Sequence, residues 1–189
     1  MYNIRCKSDY ENLIRKLQQE ALEVGGTYEV VGETVRIKSS TKDIKEMFDI
    51  DDDFERQFIE AISKFEDKNI GPYITSKYFN LIPGVKKAVK ILFTDCYESR
   101  RCVITFPSEH CFQSIQFLIR ENTVNVVCYM RSCNVIKNLP HDIWICSKLA
   151  DIFAGCITRM TGEKLYKFYD IKMMFGSLHV FKEEIPDVL

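Results

Sequence analysis

A chain of 189 residues with 46% hydrophobic content is long enough to bury one sizeable core and falls within the usual range for a single domain. Its 26 basic and 27 acidic residues nearly cancel, so bulk charge gives no reason to expect a polyanion or a membrane surface as partner, and any phosphate must be held by a local cluster. Eight cysteines without a CxxC pair, set mostly in apolar runs, fit free thiols in a reducing compartment better than a disulfide scaffold.

In chain order, residues 9–24 carry Tyr10, Leu13, Ile14, Leu17, Ala21, Leu22 and Val24 at helical spacing, and Gly25-Gly26 stops the pattern. Thr27 to Lys38 alternates as a strand pair around Gly32. Asp43 to Phe65 returns to helical spacing, with the acidic run Asp49 to Asp53 as a solvated loop between two helices. Gly71-Pro72-Tyr73 reads as a turn, and Val85 to Phe93 as a helix that ends before Arg100-Arg101.

The character then changes. Arg101 to Phe106, Ser114 to Arg120 and Thr123 to Met130 are rich in Val, Ile and Phe, and Glu121-Asn122 joins the last two as in a hairpin. Residues 141–157 place Ile143, Trp144, Leu149, Ala150, Phe153, Cys156 and Ile157 on a broad apolar stripe, the pattern of a helix deep in the core. Lys172 to Phe181 is a final strand. Helices, paired strands, a buried helix and a strand indicate α+β with a mixed sheet. No leader pattern opens the chain and no apolar run reaches membrane-spanning length, so the expected location is the cytoplasm.

Taken singly, the polar residues have bland readings: Cys111 as a small hydrophobe, Arg131 as a strand-end cap, His179 as a satisfied core histidine, Asp142 as a helix N-cap. Their order is more specific. Arg100-Arg101 precedes Cys111-Phe112-Gln113-Ser114-Ile115-Gln116-Phe117. Then come Arg131-Ser132-Cys133-Asn134-Val135, Leu139-Pro140-His141-Asp142 and Gly176-Ser177-Leu178-His179-Val180-Phe181. This series resembles the thymidylate synthase superfamily over about residues 99–181, and more loosely from Gly71. The fold implied is a thymidylate-synthase-like mixed sheet with a buried central helix, one domain over residues 1–189, in a short form lacking the usual C-terminal extension.

The resemblance also implies roles. Cys111 matches the nucleophile that adds to C6 of a pyrimidine, a task that needs the thiolate. Arg131 and Ser132 match the phosphate-binding pair, and the guanidinium would favour the thiolate. Arg100 and Arg101 match arginines that reach a partner subunit's phosphate, which implies a homodimer. Gln116 belongs to the strand after the nucleophile, and His179 matches the residue that meets the sugar 3′-hydroxyl. Phe181 stands where a tyrosine is expected, Phe112 where a histidine is, and Asn134 where an aspartate faces the folate.

Asp142 replaces the asparagine that reads uracil. A carboxyl can accept from the amino group of cytosine and, if protonated, donate to its N3. Deoxycytidylate hydroxymethylases carry aspartate here, so the resemblance implies C5 hydroxymethylation of dCMP or CMP with 5,10-methylenetetrahydrofolate through a covalent cysteine adduct. Two alternatives stay open: a reduced thymidylate synthase acting on dUMP, and a catalytically silent nucleotide-binding homologue. The family's catalytic glutamate has no aligned counterpart, with Glu46, Glu55 and Glu60 as candidates. His110 beside Cys111 is no hydrolase dyad if both lie on a strand, since neighbours there point to opposite faces. Three scattered histidines give no zinc spacing, and there is no GxGxxG or P-loop.

Overall fold

In the computed structural model, described for residues 1–63, 84, 87, 88, 90, 91, 99–108, 110–162 and 164–185, the chain is mixed α+β. An eight-stranded mixed sheet comprises β1 (Tyr2–Ile4), β2 (Leu22–Val24), β3 (Thr27–Val31), β4 (Thr34–Ser39), β5 (Val103–Thr105), β6 (Phe112–Arg120), β7 (Thr123–Asn134) and β8 (Tyr166–Phe181). The described α-helices are α1 (Lys7–Glu20), α2 (Thr41–Met47), α3 (Asp52–Ser63) and α4 (Leu139–Thr161). The strand order is β1-β4-β8-β7-β6-β5, with β3 on β8 beyond the end of β4, and β2 on β3. The turn expected at Gly71-Pro72-Tyr73 and most of the helix expected over 85–93 lie outside the described residues.

The β6–β7 hairpin is a direct consequence of local chemistry. Glu121 and Asn122 both adopt positive φ, 51° and 58°, which matches the right-handed twist of the two strands they join. Two expectations are corrected. Helix α1 ends at Glu20, and Leu22 and Val24 belong to a strand whose hairpin turns on Gly25-Gly26, both at positive φ, so their side chains face solvent. The segments on either side of Gly32 do not pair with each other: β3 and β4 lie end to end along the 16-residue β8. The acidic run is a loop only in its first half, since Asp52 and Asp53 form the first turn of α3, where carboxylates face the positive end of the helix dipole.

Helix α4 lies against β7 and β8. Pro140 sits in its first turn, and Gly162 closes it at φ 76° with its N–H on the Thr158 carbonyl at 2.9 Å. Phe153 stacks on Phe117 of β6 at 4.8 Å between centroids, while Phe54 and Phe58 of α3 meet Trp144 edge-on. Apolar contacts on both sides explain why so little of α4 is polar; each large side chain buried here is worth about 1.5–3 kcal/mol.

The sheet is broken at one level. In β7 the buried apolar residues are Val124, Val126, Cys128 and Met130, then Cys133; in β8 they are Tyr169, Ile171, Met173 and Phe175, then Leu178 and Val180. Both strands therefore change which alternate residues face the core between in-register pairs Met130–Phe175 and Cys133–Leu178. Strand β6 carries a register shift beside them, between Phe112 and Ser114. Such aligned irregularities re-aim side chains, and they do so here at the position of Cys111.

Candidate functional site

Cys111 lies in the bend just before β6, beside this break, so the expectation that it and His110 sit on a strand is corrected. Its carbonyl accepts the Arg131 N–H at 2.7 Å, and its half-buried sulfur lies 3.8 Å from the Ser132 hydroxyl. Ser132 pairs in register with Ser177. The close approach of β8 to β7 here depends on Gly176, because a Cβ at that position would stand 2.7 Å from the Arg131 carbonyl oxygen. Cys111, Arg131 and Ser132 are thus brought together, with the Arg131 side chain exposed. His110 lies just outside the strand, its ring 6.4 Å from that of Phe106.

A second cluster forms where β7 and β8 end. Asn134 pairs with His179, and the Val135 N–H donates to the His179 carbonyl at 2.8 Å. The Asn134 amide oxygen is fully used within the protein, accepting the Ile136 and Lys137 N–H groups at 2.9 and 2.8 Å, and its nitrogen donates to Glu184 at 2.6 Å. Glu184 belongs to a 3₁₀ turn at Lys182–Glu184, pairs with Lys137, and also accepts the Phe181 N–H at 3.3 Å. Burial pushes its carboxyl up, but the Asn134, Lys137 and Phe181 donors outweigh burial and leave it below its ordinary value. Burial lowers the half-buried His179 imidazole against the opposing pull of Glu29 and Glu184, so it is held neutral at pH 7.

Asp142 lies in the first turn of α4 and is fully buried, with the Cys133 thiol donating to its carboxylate at 3.7 Å. Its backbone N–H is bonded to the Asn138 carbonyl at 2.9 Å, so Asp142 is an inward-facing group of the first turn and not the N-cap, which is Asn138. Cys128 lies in the same buried neighbourhood; burial, Cys146 and Asp142 all push its thiol well up. Cys128, Cys133 and Cys146 are buried, whereas Cys111 is partly open. All seven described cysteines are free; Cys96 lies outside the described residues.

Arg100, Arg101 and Gln116 are not at Cys111. Gln116 donates its side-chain amide to the Arg100 carbonyl at 2.7 Å, tying the exposed arginine pair to β6 five residues from Cys111, about 17 Å along the strand. Of the three glutamates considered as general acid or base, Glu55 is clamped by Lys45 and Lys148, which hold its carboxyl low, while Glu46 and Glu60 pair on the surface with Lys42 and Arg56.

Two residues of this region are not legible as site residues in the sequence. Glu184 lies 50 residues from Asn134, and no spacing connects them. Tyr10 carries only a helix-core signal, yet its hydroxyl donates to the Val135 carbonyl at 2.7 Å, and burial raises its pKa. Among the described residues no cluster of His, Cys, Asp or Glu could hold a metal ion, and no described helix is long and apolar enough to cross a membrane. Comparison with protein-family models and with curated proteins returned no match.

Proposed function

We propose that this chain is a thymidylate-synthase-like enzyme that attaches a one-carbon unit to C5 of a cytidylate, dCMP or CMP, through an adduct with Cys111. The observation that carries the reading is the partly open Cys111 thiol, 3.8 Å from the Ser132 hydroxyl and joined through its backbone to Arg131. Seven described cysteines are free, and Cys111 is a partly open one whose sulfur meets the hydroxyl of a residue proposed to hold a phosphate.

In this reading the Arg131 guanidinium and Ser132 hydroxyl take the nucleotide phosphate. The thiolate adds to C6, which makes C5 nucleophilic; splitting the substitution into addition and elimination lowers each barrier. Neutral His179 can accept from or donate to the sugar hydroxyl. The buried carboxyl of Asp142 reads the base, accepting from the exocyclic amine of cytosine where uracil O4 would leave it unmatched. Methylenetetrahydrofolate would supply the one-carbon unit. At the β7–β8 end Asn134 does not fit that group, because both lone pairs of its amide oxygen are taken by the Ile136 and Lys137 N–H groups.

The proposal includes a homodimer. Tyr129, Phe168 and Met174 stand exposed on the sheet face opposite α4, and Val127 and Leu118 lie beside them half-buried. An uncovered apolar face of this kind marks an interface. Arg100 and Arg101, too far along β6 to serve their own Cys111, would then serve the partner's phosphate.

The deployment of Asn134 against Glu184 favours a second reading, a nucleotide-binding homologue that does not turn over. Calorimetric binding of dCMP, CMP, dUMP and UMP, with and without tetrahydrofolate, tests the base assignment. The cytidylates should bind at least tenfold more tightly than the uridylates, and Asp142→Asn should reverse the order. Equal binding of both bases by the wild type and the variant removes Asp142 as base reader.

A further inference from the structure

A cleft of about 800 Å³ opens where α4 gives way to β8, at the opposite pole of the sheet from Cys111. Tyr166 pairs with Thr123 at the start of β7, whereas Cys111 bonds Arg131 near its end, eight residues or about 26 Å away. The floor is buried Leu165 and the bare backbone of Gly155, above which nothing lies within 4 Å of where a Cβ would stand. The exposed ring of Tyr166 forms one wall, and Arg159, Lys164 and Lys167 supply the charge.

That charge is unbalanced. Several of the chain's other cations are paired: Lys45 with Asp52 and Glu55, Lys148 with Glu55, Arg36 with Asp170, Lys182 with Glu23. Among the described residues Arg159, Lys164 and Lys167 have no carboxylate partner, and Arg159 is held instead by the Gly155 carbonyl at 3.3 Å. The α4 dipole accounts for Arg159 in the last helical turn but not for the two lysines, which follow the Gly162 stop. Three like charges are gathered around an apolar floor in a protein of net charge −1, a setting that favours an anion.

We infer that this cleft is a second binding site, for an organic anion that carries two or more negative charges on a flat or apolar body, the class of the nucleoside di- and triphosphates. The phosphates meet the three cations, and the flat body lies on Leu165 and Gly155 against the ring of Tyr166. The site is independent of the chemistry proposed at Cys111.

The test is titration of the full chain with ATP, with pyrophosphate and adenosine as half-probes, followed by calorimetry and by amide NMR shifts. ATP should shift the amides of Gly155 and residues 164–167 and bind more tightly than either half-probe. Gly155→Phe, which fills open space, and the surface pair Lys164→Gln/Lys167→Gln should each weaken ATP roughly tenfold or more without lowering the melting temperature. Arg131→Gln should leave ATP binding intact. The inference is overturned if millimolar ATP fails to bind, if binding survives both cleft variants, or if only Arg131→Gln abolishes it, since ATP would then occupy the Cys111 region.

Discussion

Asn134 and Glu184 clasp each other across 50 residues of sequence, amide nitrogen to carboxylate oxygen at 2.6 Å, with Glu184 almost wholly out of solvent. An aspartate at 134 would set two carboxylates at that distance. Asn134→Asp should therefore cost about 1–3 kcal/mol, the loss of a charge-assisted hydrogen bond and a like-charge contact that Lys137 offsets in part. Adding Glu184→Gln exchanges donor and acceptor, and the double variant should recover about 1–3 kcal/mol relative to the sum of the single changes. Urea unfolding of the four proteins measures this; strict additivity would mean that the two groups do not interact.

Gly176 and Gly155 should respond oppositely to the same substitution. Gly176→Ala drives a methyl against the Arg131 carbonyl oxygen and should cost about 1–3 kcal/mol while displacing Arg131 and Ser132 from Cys111. Gly155→Ala meets nothing within 4 Å on an α-helix and should gain about 0.5–1 kcal/mol. Thermal melts of both variants decide the matter, and equal shifts would contradict the strand approach described.

Acid should destabilise the protein in two stages. The folded pKa of His179 is lowered by burial, so the unfolded chain binds its proton first, and stability falls as pH drops below about 6.5. Glu55, held low by Lys148 and Lys45, and Asp170, held low by Arg36, contribute stability that is fully present above their ordinary values near 4 and is lost as pH falls through the folded ones. Unfolding free energy against pH should show a shallow limb and then a steep one. Glu55→Gln should lower stability at pH 7 by about 1–2 kcal/mol and converge with the wild type in acid. A difference independent of pH would show that the lysine clamp contributes nothing.

What was legible in the sequence was local. Alternation marked β6, β7 and β8, and Glu121-Asn122 marked their turn, because period-two patterning and positive φ are properties of neighbouring residues. Leu22 and Val24 continued the α1 periodicity by chance, and only the pairing with β3 overrides it. Gly32 signalled a turn correctly, but that both flanking strands would lie on β8 depends on the length of a strand 130 residues later. Contacts between distant residues, such as Asn134 with Glu184 or Tyr10 with Val135, have no periodicity to betray them.

The exposed sheet face predicts self-association. Tyr129→Lys, at the centre of the apolar patch with Met174, should convert a dimer to a monomer in sedimentation velocity without loss of fold. A wild type that sediments as a monomer at high micromolar concentration would remove the proposed role of Arg100 and Arg101.

The most direct measurement is release of tritium from C5 of labelled dCMP, with labelled dUMP in parallel, in the presence of methylenetetrahydrofolate. The account predicts release from dCMP that exceeds release from dUMP and vanishes in Cys111→Ser. No release from either nucleotide at any folate concentration, or release that persists without the Cys111 sulfur, would contradict it.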